Sequence, residues 1–156
     1  MISIIVHNPV NTFISFGLLI AIVGGSFYYV YALAPRGPWM GIMDGAFITP
    51  GAAQAIGLDE DHGFLIFVIA PSSPAAKVGL QQADDEVVIG GQRIPVGGDI
   101  IVSMDGRQIN GIDDICSVLE QKQVGDNVRI GINRDGRLQE VNLILEEAPP
   151  GETSDC

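Results

Sequence analysis

The hydrophobic positions fall into one long uncharged run near the start of the chain and a series of short apolar runs after it. From Thr12 to Ala34, TFISFGLLIAIVGGSFYYVYALA carries no charge over 23 positions. As a helix rising 1.5 Å per residue, such a run spans a hydrocarbon core of about 30 Å. Pro9 and Asn11 punctuate its start and Pro35 its end. Tyr28, Tyr29, Tyr31 and Trp39 gather toward one end, as an interfacial aromatic belt does. The pattern predicts an N-terminal tail over 1–11, a transmembrane helix over 12–34 and a short linker over 35–38. Gly17, Ala21 and Gly25 recur at every fourth position and would give that helix a small-residue face for packing another helix. A cleaved signal peptide ending at Ala34 is the rival reading. It lacks a Lys or Arg ahead of the apolar run and would leave proline after the cut.

Beyond Ile42 the period changes. Gly63–Ala70 (GFLIFVIA) is almost continuously apolar, as in a strand covered on both faces. Asp99–Met104 (DIIVSM) is a second such run, ended by Asp105-Gly106. NVRIGIN points Val128, Ile130 and Ile132 one way, and LQEVNLIL answers with Val141, Leu143 and Leu145. Asp135-Gly136 between them suits the positive φ angles of a two-residue hairpin loop. Thr49-Pro50 and Ser73-Pro74 each combine a capping hydroxyl with proline at the first helical position, which predicts two short helices, the second stopping at Gly79. A longer helix is predicted over Ile112–Lys122, with Asp113 and Asp114 in its first turn and an apolar stripe of Ile112, Ile115 and Leu119 beside Cys116. The segment 81–97 reads as a surface hairpin around Gly90-Gly91, or alternatively as a loop that touches a partner. Residues 147–156 lack apolar periodicity and read as a disordered acidic tail. The fold class is therefore mainly β with two to three short helices, preceded by one transmembrane helix.

Composition narrows the function. A net charge of -11, with only eight Lys and Arg, scattered along the chain, argues against nucleic acid and against electrostatic attachment to anionic lipid. The two cysteines, Cys116 and Cys156, make no disulfide framework, a bond between them being the less favoured alternative, and leave the redox compartment open. A Ser-His-Asp triad needs a positioned histidine, yet the only histidines are His7, ahead of the apolar run, and His62. There is no G-x-S-x-G and no H-E-x-x-H. Asp59, Glu60, Asp61 and His62 are consecutive, match no calcium-loop spacing and read as a solvated turn. The residues thus point to no catalytic site, metal, cofactor or small-molecule substrate.

In order along the chain, WMGI, TPGAAQAIGL, GFLIFVIAPSSPAAKVGL, VGGDIIVSMDGRQI, DDICSVLEQKQVGD and NVRIGINRDGRLQEVNLIL resemble a PDZ domain of the bacterial HtrA/Deg type, without its protease domain. The resemblance covers Trp39–Glu146 and implies a PDZ-like partly open β-barrel or sandwich. It departs from the common pattern in the long insertion QQADDEVVIGGQRIPVG before Gly98-Asp99. By resemblance, Met40, Gly41 and Ile42 would turn their N–H groups toward a peptide carboxylate. Ile42 and Met43 would open the strand that pairs with the peptide, and Ile115 and Leu119 would wall the pocket for its last side chain. The expected function is a non-catalytic single-pass membrane module that binds C-termini or extended segments of membrane-associated proteins. Alternatives are a structural accessory subunit of a membrane complex and a regulator acting in trans on a separate protease. Arg36 places the domain in the cytoplasm by the Lys/Arg rule. The resemblance implies the extracytoplasmic side, and that is the expectation carried forward.

Overall fold

The computed structural model of the protein describes residues 18–23, 26–31, 36–56, 60–150 and 152. The chain divides into two compact units, Met1–Pro35 and Arg36–Cys156.

In the first unit the described part of the expected transmembrane helix, 18–23 and 26–31, is strand, and the rest of the 12–34 run lies outside the described residues. Leu18–Val23 (β1) and Ser26–Tyr31 (β2) are antiparallel strands in register from Leu18↔Tyr31 to Val23↔Ser26. Among the described residues no helix is long and apolar enough to cross a membrane. The physical reason lies in the side chains that make the run apolar. Ile20, Ile22, Val23, Phe27, Tyr28, Tyr29, Val30 and Tyr31 are β-branched or aromatic, types that favour a pleated backbone. Ala21 lies in β1 opposite Tyr28, and Gly17 and Gly25 lie outside the described residues.

The second unit is built on one antiparallel sheet. Its strands are Ile42–Phe47 (β4), Phe64–Ile69 (β5), Ile100–Met104 (β8), Asn127–Arg134 (β10) and Arg137–Ile144 (β11), in the spatial order β11-β10-β8-β5-β4. Arg107–Gln108 (β9) pairs with β8. β10 and β11 meet at Asp135 and Gly136, whose φ angles of 53° and 73° are those the hairpin pattern requires. β8 and β5 alternate between two covered faces. Ile66, Ile101 and Met104 join the main core with Val128, Ile130, Ile132 and Leu143. Leu65, Ile100 and Val102 join a second cluster with Ile48 and Ala53 of the helix Pro50–Ile56 (α1). At the β4 end this cover runs out, and Val68 is exposed.

The short helices stop and start as their sequences predict. Ser73 caps Pro74–Lys77 (α2), its Oγ accepting from Ala76 N at 3.2 Å, and Gly79 follows with φ 74°. Thr49 Oγ1 accepts from Ala52 N at the head of α1. The third helix, Ile112–Leu119 (α3), is shorter than the expected 112–122, its last residues passing into turns. Asp85–Ile89 (β6) and Gln92–Val96 (β7) form the surface hairpin around Gly90-Gly91. The acidic tail starts later than its composition suggests. Glu146–Glu147 (β12) pairs with Pro38–Trp39 (β3), and Ala148 is fully buried. Backbone pairing needs no apolar periodicity, so pattern alone misses it.

Candidate peptide-binding site

The segment Trp39–Ile42 joins β3 to β4 and is tied down on both sides. Ala75 N donates to the Met40 carbonyl at 2.8 Å, and Ala70 N to the Gly41 carbonyl at 2.9 Å. Trp39 and Met40 are buried. Gly41 has φ +88°, a conformation that costs an L side chain energy. A Cβ there would also lie 2.5 Å from Ser73 Oγ and nearer still to Ser73 Cβ. The same Ser73, fully buried, caps α2. The loop is thus held between the end of β5 and the head of α2, and glycine is the residue its curl admits. Successive N–H groups in a loop with one positive-φ residue form the kind of concavity that receives an anion.

β4 leaves this loop as the terminal strand of the sheet, hydrogen-bonded, among the described residues, to β5 on one side only. A strand edge with unpaired backbone groups is a template for an added strand. Along it Met43 is exposed and Ile42 is half-buried against the main core. α3 contributes Ile115, Val118 and Leu119 to the same core cluster as Met40, so the loop and this helix share one packed interior.

The scan of family models matches residues 54–145 to the PDZ domain. The chain belongs to the PDZ domain family. Over 87 residues this PDZ chain is 33% identical to protease Do-like 1, chloroplastic, of Arabidopsis thaliana, covering 56% of this chain and 19% of that protein. It is 28% identical over 118 residues to the periplasmic serine endoprotease DegP of Escherichia coli (strain K12), covering 76% of this chain and 21% of DegP. The chain therefore spans about a fifth of the length of these relatives. Among solved structures, the HtrA3 PDZ domain bound to a phage-derived ligand (FGRWV) superposes with TM-score 0.53 at 19% identity, covering 71% of this chain and 86% of that one. The HtrA-type protease AlgWS227A with decapeptide superposes with TM-score 0.56 at 21% identity, covering 78% of this chain and 32% of that one. These likenesses establish the same PDZ fold.

Within the PDZ domain the predicted site residues fall in three settings. Met40, Gly41 and Ile42 form the tied loop, with Met43 on the open edge strand. Ile115 and Leu119 are 5% and 2% exposed, in the core beneath the α3 surface. Ile112 and the half-buried Cys116 stand nearer that surface.

Sequence reasoning missed three features. Ser73 sets the curl of the loop, although its capping role was legible. Asp99 is fully buried, its Oδ1 accepting from Arg134 Nε at 2.6 Å and its Oδ2 from Arg134 Nη2 at 2.7 Å and Gln81 N at 2.8 Å. Arg134 Nη2 also donates to the Gly79 carbonyl, and the Asp99 hydrogen bonds raise the Arg134 pKa above its ordinary value. This pair fastens the end of α2 to β8 and β10. The third feature is that Cys116 is disulfide-bonded.

Two other places bear on chemistry. Glu60, Asp61 and His62 bring ligand atoms within 4.8 Å of one another, the one such group of three among the described residues. Glu60 there already accepts from Asn133 Nδ2 at 3.0 Å. On the outer face of β5, an open cavity of about 640 Å³ runs to the β6–β7 hairpin, with Asp44, Asp84, Asp85 and Glu86 around Phe67 and Pro95. The insertion thus forms an acidic wall.

Proposed function

We propose that the protein is a non-catalytic module that binds an extended, C-terminal segment of a membrane-associated protein as an added strand along β4. The terminal carboxylate sits in the Met40–Ile42 loop, and the last apolar side chain enters between that loop and α3, over Ile115 and Leu119. The observation that carries this reading is the tied loop, with φ +88° at Gly41, leading directly into the terminal strand of the sheet. Peptide ligands named for the HtrA3 PDZ domain and AlgW support it by analogy.

The membrane association rests on residues 12–34. An isolated two-stranded hairpin is marginal in water. In lipid, its outer edges would leave backbone groups unpaired. An uncharged apolar hairpin of this kind is best covered by another polypeptide at the membrane. That also supports a second role, as an accessory subunit of a membrane complex. The disulfide at Cys116 favours an oxidising, extracytoplasmic location.

Fluorescence polarisation with a labelled decapeptide ending in a free Val carboxylate tests the groove, with the amidated peptide as control. Binding of the free acid but not the amide, and its loss in Gly41→Glu, is expected. Equal binding of acid and amide would overturn the carboxylate-loop reading.

A further inference from the structure

The two faces of the main sheet are unequally covered. α3 packs into the main core on one face, while Phe67 packs with the second cluster on the other. Toward the β4 end that second face is open, and Val68 is exposed there. The cavity beside it has an apolar floor of Phe67 and Val68 and a rim of Asp44, Asp84, Asp85 and Glu86. The base of the β6–β7 hairpin fixes this rim in place. Ala83 N donates to the Ile66 carbonyl at 3.0 Å, Ile69 N to Gln82 Oε1 at 3.0 Å, and Asp84 N to the Val96 carbonyl at 3.2 Å.

Asp44 stands on the open edge strand itself. Ile42 packs against the main core, and a residue two positions on ordinarily shares its face. The β4–β5 register shifts on both sides of Asp44, from Ile42↔Ile69 to Asp44↔Val68 to Gly45↔Ile66. Such a bulge re-aims a side chain, and Asp44 lines the cavity together with Val68. Asp44 Oδ1 also accepts from Gly45 N at 2.8 Å. Among the described residues no Lys or Arg pairs with Asp44, Asp84 or Asp85. Of the four carboxylates only Glu86 meets a cation, Arg93 Nη1 at 3.5 Å.

We propose that this groove is an upstream subsite for the peptide bound along β4, and that it selects Lys or Arg side chains. This deepens the peptide-groove reading and rests on it. A ligand whose carboxylate sits in the Met40–Ile42 loop runs back along β4, antiparallel to it. Its last side chain faces α3, so by alternation the second and fourth from its end face the cavity. Neighbouring strands lie about 4.8 Å apart, a span that a long side chain crosses to reach Asp44. Its methylene stem then covers Phe67 and Val68 while its cation meets carboxylates, the division of labour that suits Lys and Arg. The hairpin carboxylates add to the attraction where salt is low and screening weak. The insertion before Gly98-Asp99 thereby gains a role in choosing the ligand.

Fluorescence polarisation on the full chain in mild detergent tests this, with labelled decapeptides that all end in a free Val carboxylate. One carries Lys at the second and fourth positions from its end, one Glu at both and one Gln at both. A fourth carries its pair of Lys at the N-terminal end. An exposed ion pair is worth up to about fivefold in affinity. The first Lys peptide should bind about fivefold or more tightly than the Gln peptide and than its own isomer, and the Glu peptide more weakly than either. That advantage should shrink between about 25 mM and about 300 mM salt. Asp44→Asn and the triple variant Asp84→Asn, Asp85→Asn, Glu86→Gln should each lower it, while the triple variant binds the Gln peptide as wild type does. Equal binding of the two Lys isomers assigns the preference to the net charge of -11 and overturns the subsite. A Lys advantage unchanged in both variants overturns it as well. Equal affinity for the Lys, Gln and Glu peptides overturns it while leaving the groove standing. If no peptide binds any form of the chain, the groove reading fails and the subsite falls with it.

Discussion

Replacing Gly41 with alanine adds one carbon at the point where the loop, β5 and α2 meet. Two costs follow. At φ +88° an L residue gives up about 1–2 kcal/mol against glycine. The new Cβ would stand 2.5 Å from Ser73 Oγ and 3.3 Å from Trp39 Cη2. An ordinary contact with the hydroxyl needs close to 1 Å more. Ser73 has no space to retreat, being fully buried, and moving it strains the bond that caps Ala76 N. Losing such a cap costs about 1 kcal/mol. The sum is about 2–3 kcal/mol, read as a fall in urea midpoint at unchanged m-value. The companion variant Ser73→Gly removes the obstruction and, because glycine also caps, should cost only a few tenths of a kcal/mol through the cap itself. In the double variant the clash is gone and only the φ penalty remains, so the cycle should show a favourable coupling of about 1 kcal/mol. A Gly41→Ala chain within 0.5 kcal/mol of wild type, or strict additivity with Ser73→Gly, would refute the reasoning.

Three further outcomes follow from other parts of the domain. Asp99→Asn leaves Arg134 without its carboxylate. Breaking a buried pair by one partner costs about 3–5 kcal/mol, so a chemical denaturation curve should shift by a comparable amount. The Asp105 pKa is a contest: burial pushes it up, while hydrogen bonds from Lys122 Nζ and Arg129 N and the charges of both residues bring it below the ordinary 3.8. Its stabilising contribution is therefore present above pH about 4 and lost as pH falls through the folded value. Asp105→Asn should flatten the acid limb of the stability–pH profile, and an unchanged limb would remove Asp105 from the account. Gly136→Val, at φ 73° in the two-residue loop, should destabilise the β10–β11 hairpin by about 1–2 kcal/mol in the same assay, whereas the exposed neighbour Leu138→Thr should stay within about 0.5 kcal/mol.

What was legible in the sequence was whatever is written locally. The Asp135-Gly136 turn, the two serine or threonine caps followed by proline, and the alternation of Val128, Ile130 and Ile132 each depend on residues within a few positions of one another. The loop around Gly41 was legible only as part of a longer resemblance, because its shape is enforced by Ser73, more than thirty positions away. The Asp99–Arg134 clamp was visible as a Gly-Asp step and nothing more, since an ion pair between residues 35 positions apart leaves no periodic trace. Over its described part, 18–23 and 26–31, the apolar run misled for a different reason. Hydropathy measures how little a segment wants water, not which hydrogen-bonded form it takes. A run rich in aromatic and β-branched residues satisfies its backbone as strands as readily as in a helix.

The same distinction bears on the tail. Its composition says that it buries nothing of its own, and from that a free, unstructured end follows. Ala148 is nevertheless packed against Gly37, and Cys116 is bonded. A segment without apolar content can still be held by a backbone ladder. Backbone pairing is a constraint that hydrophobic patterning does not record. Glu146 pairs with Trp39, the residue ahead of the loop at Met40–Ile42 where a ligand carboxylate is proposed to sit. A domain whose interior is specified by apolar pattern can therefore have its binding loop anchored by residues the pattern ignores.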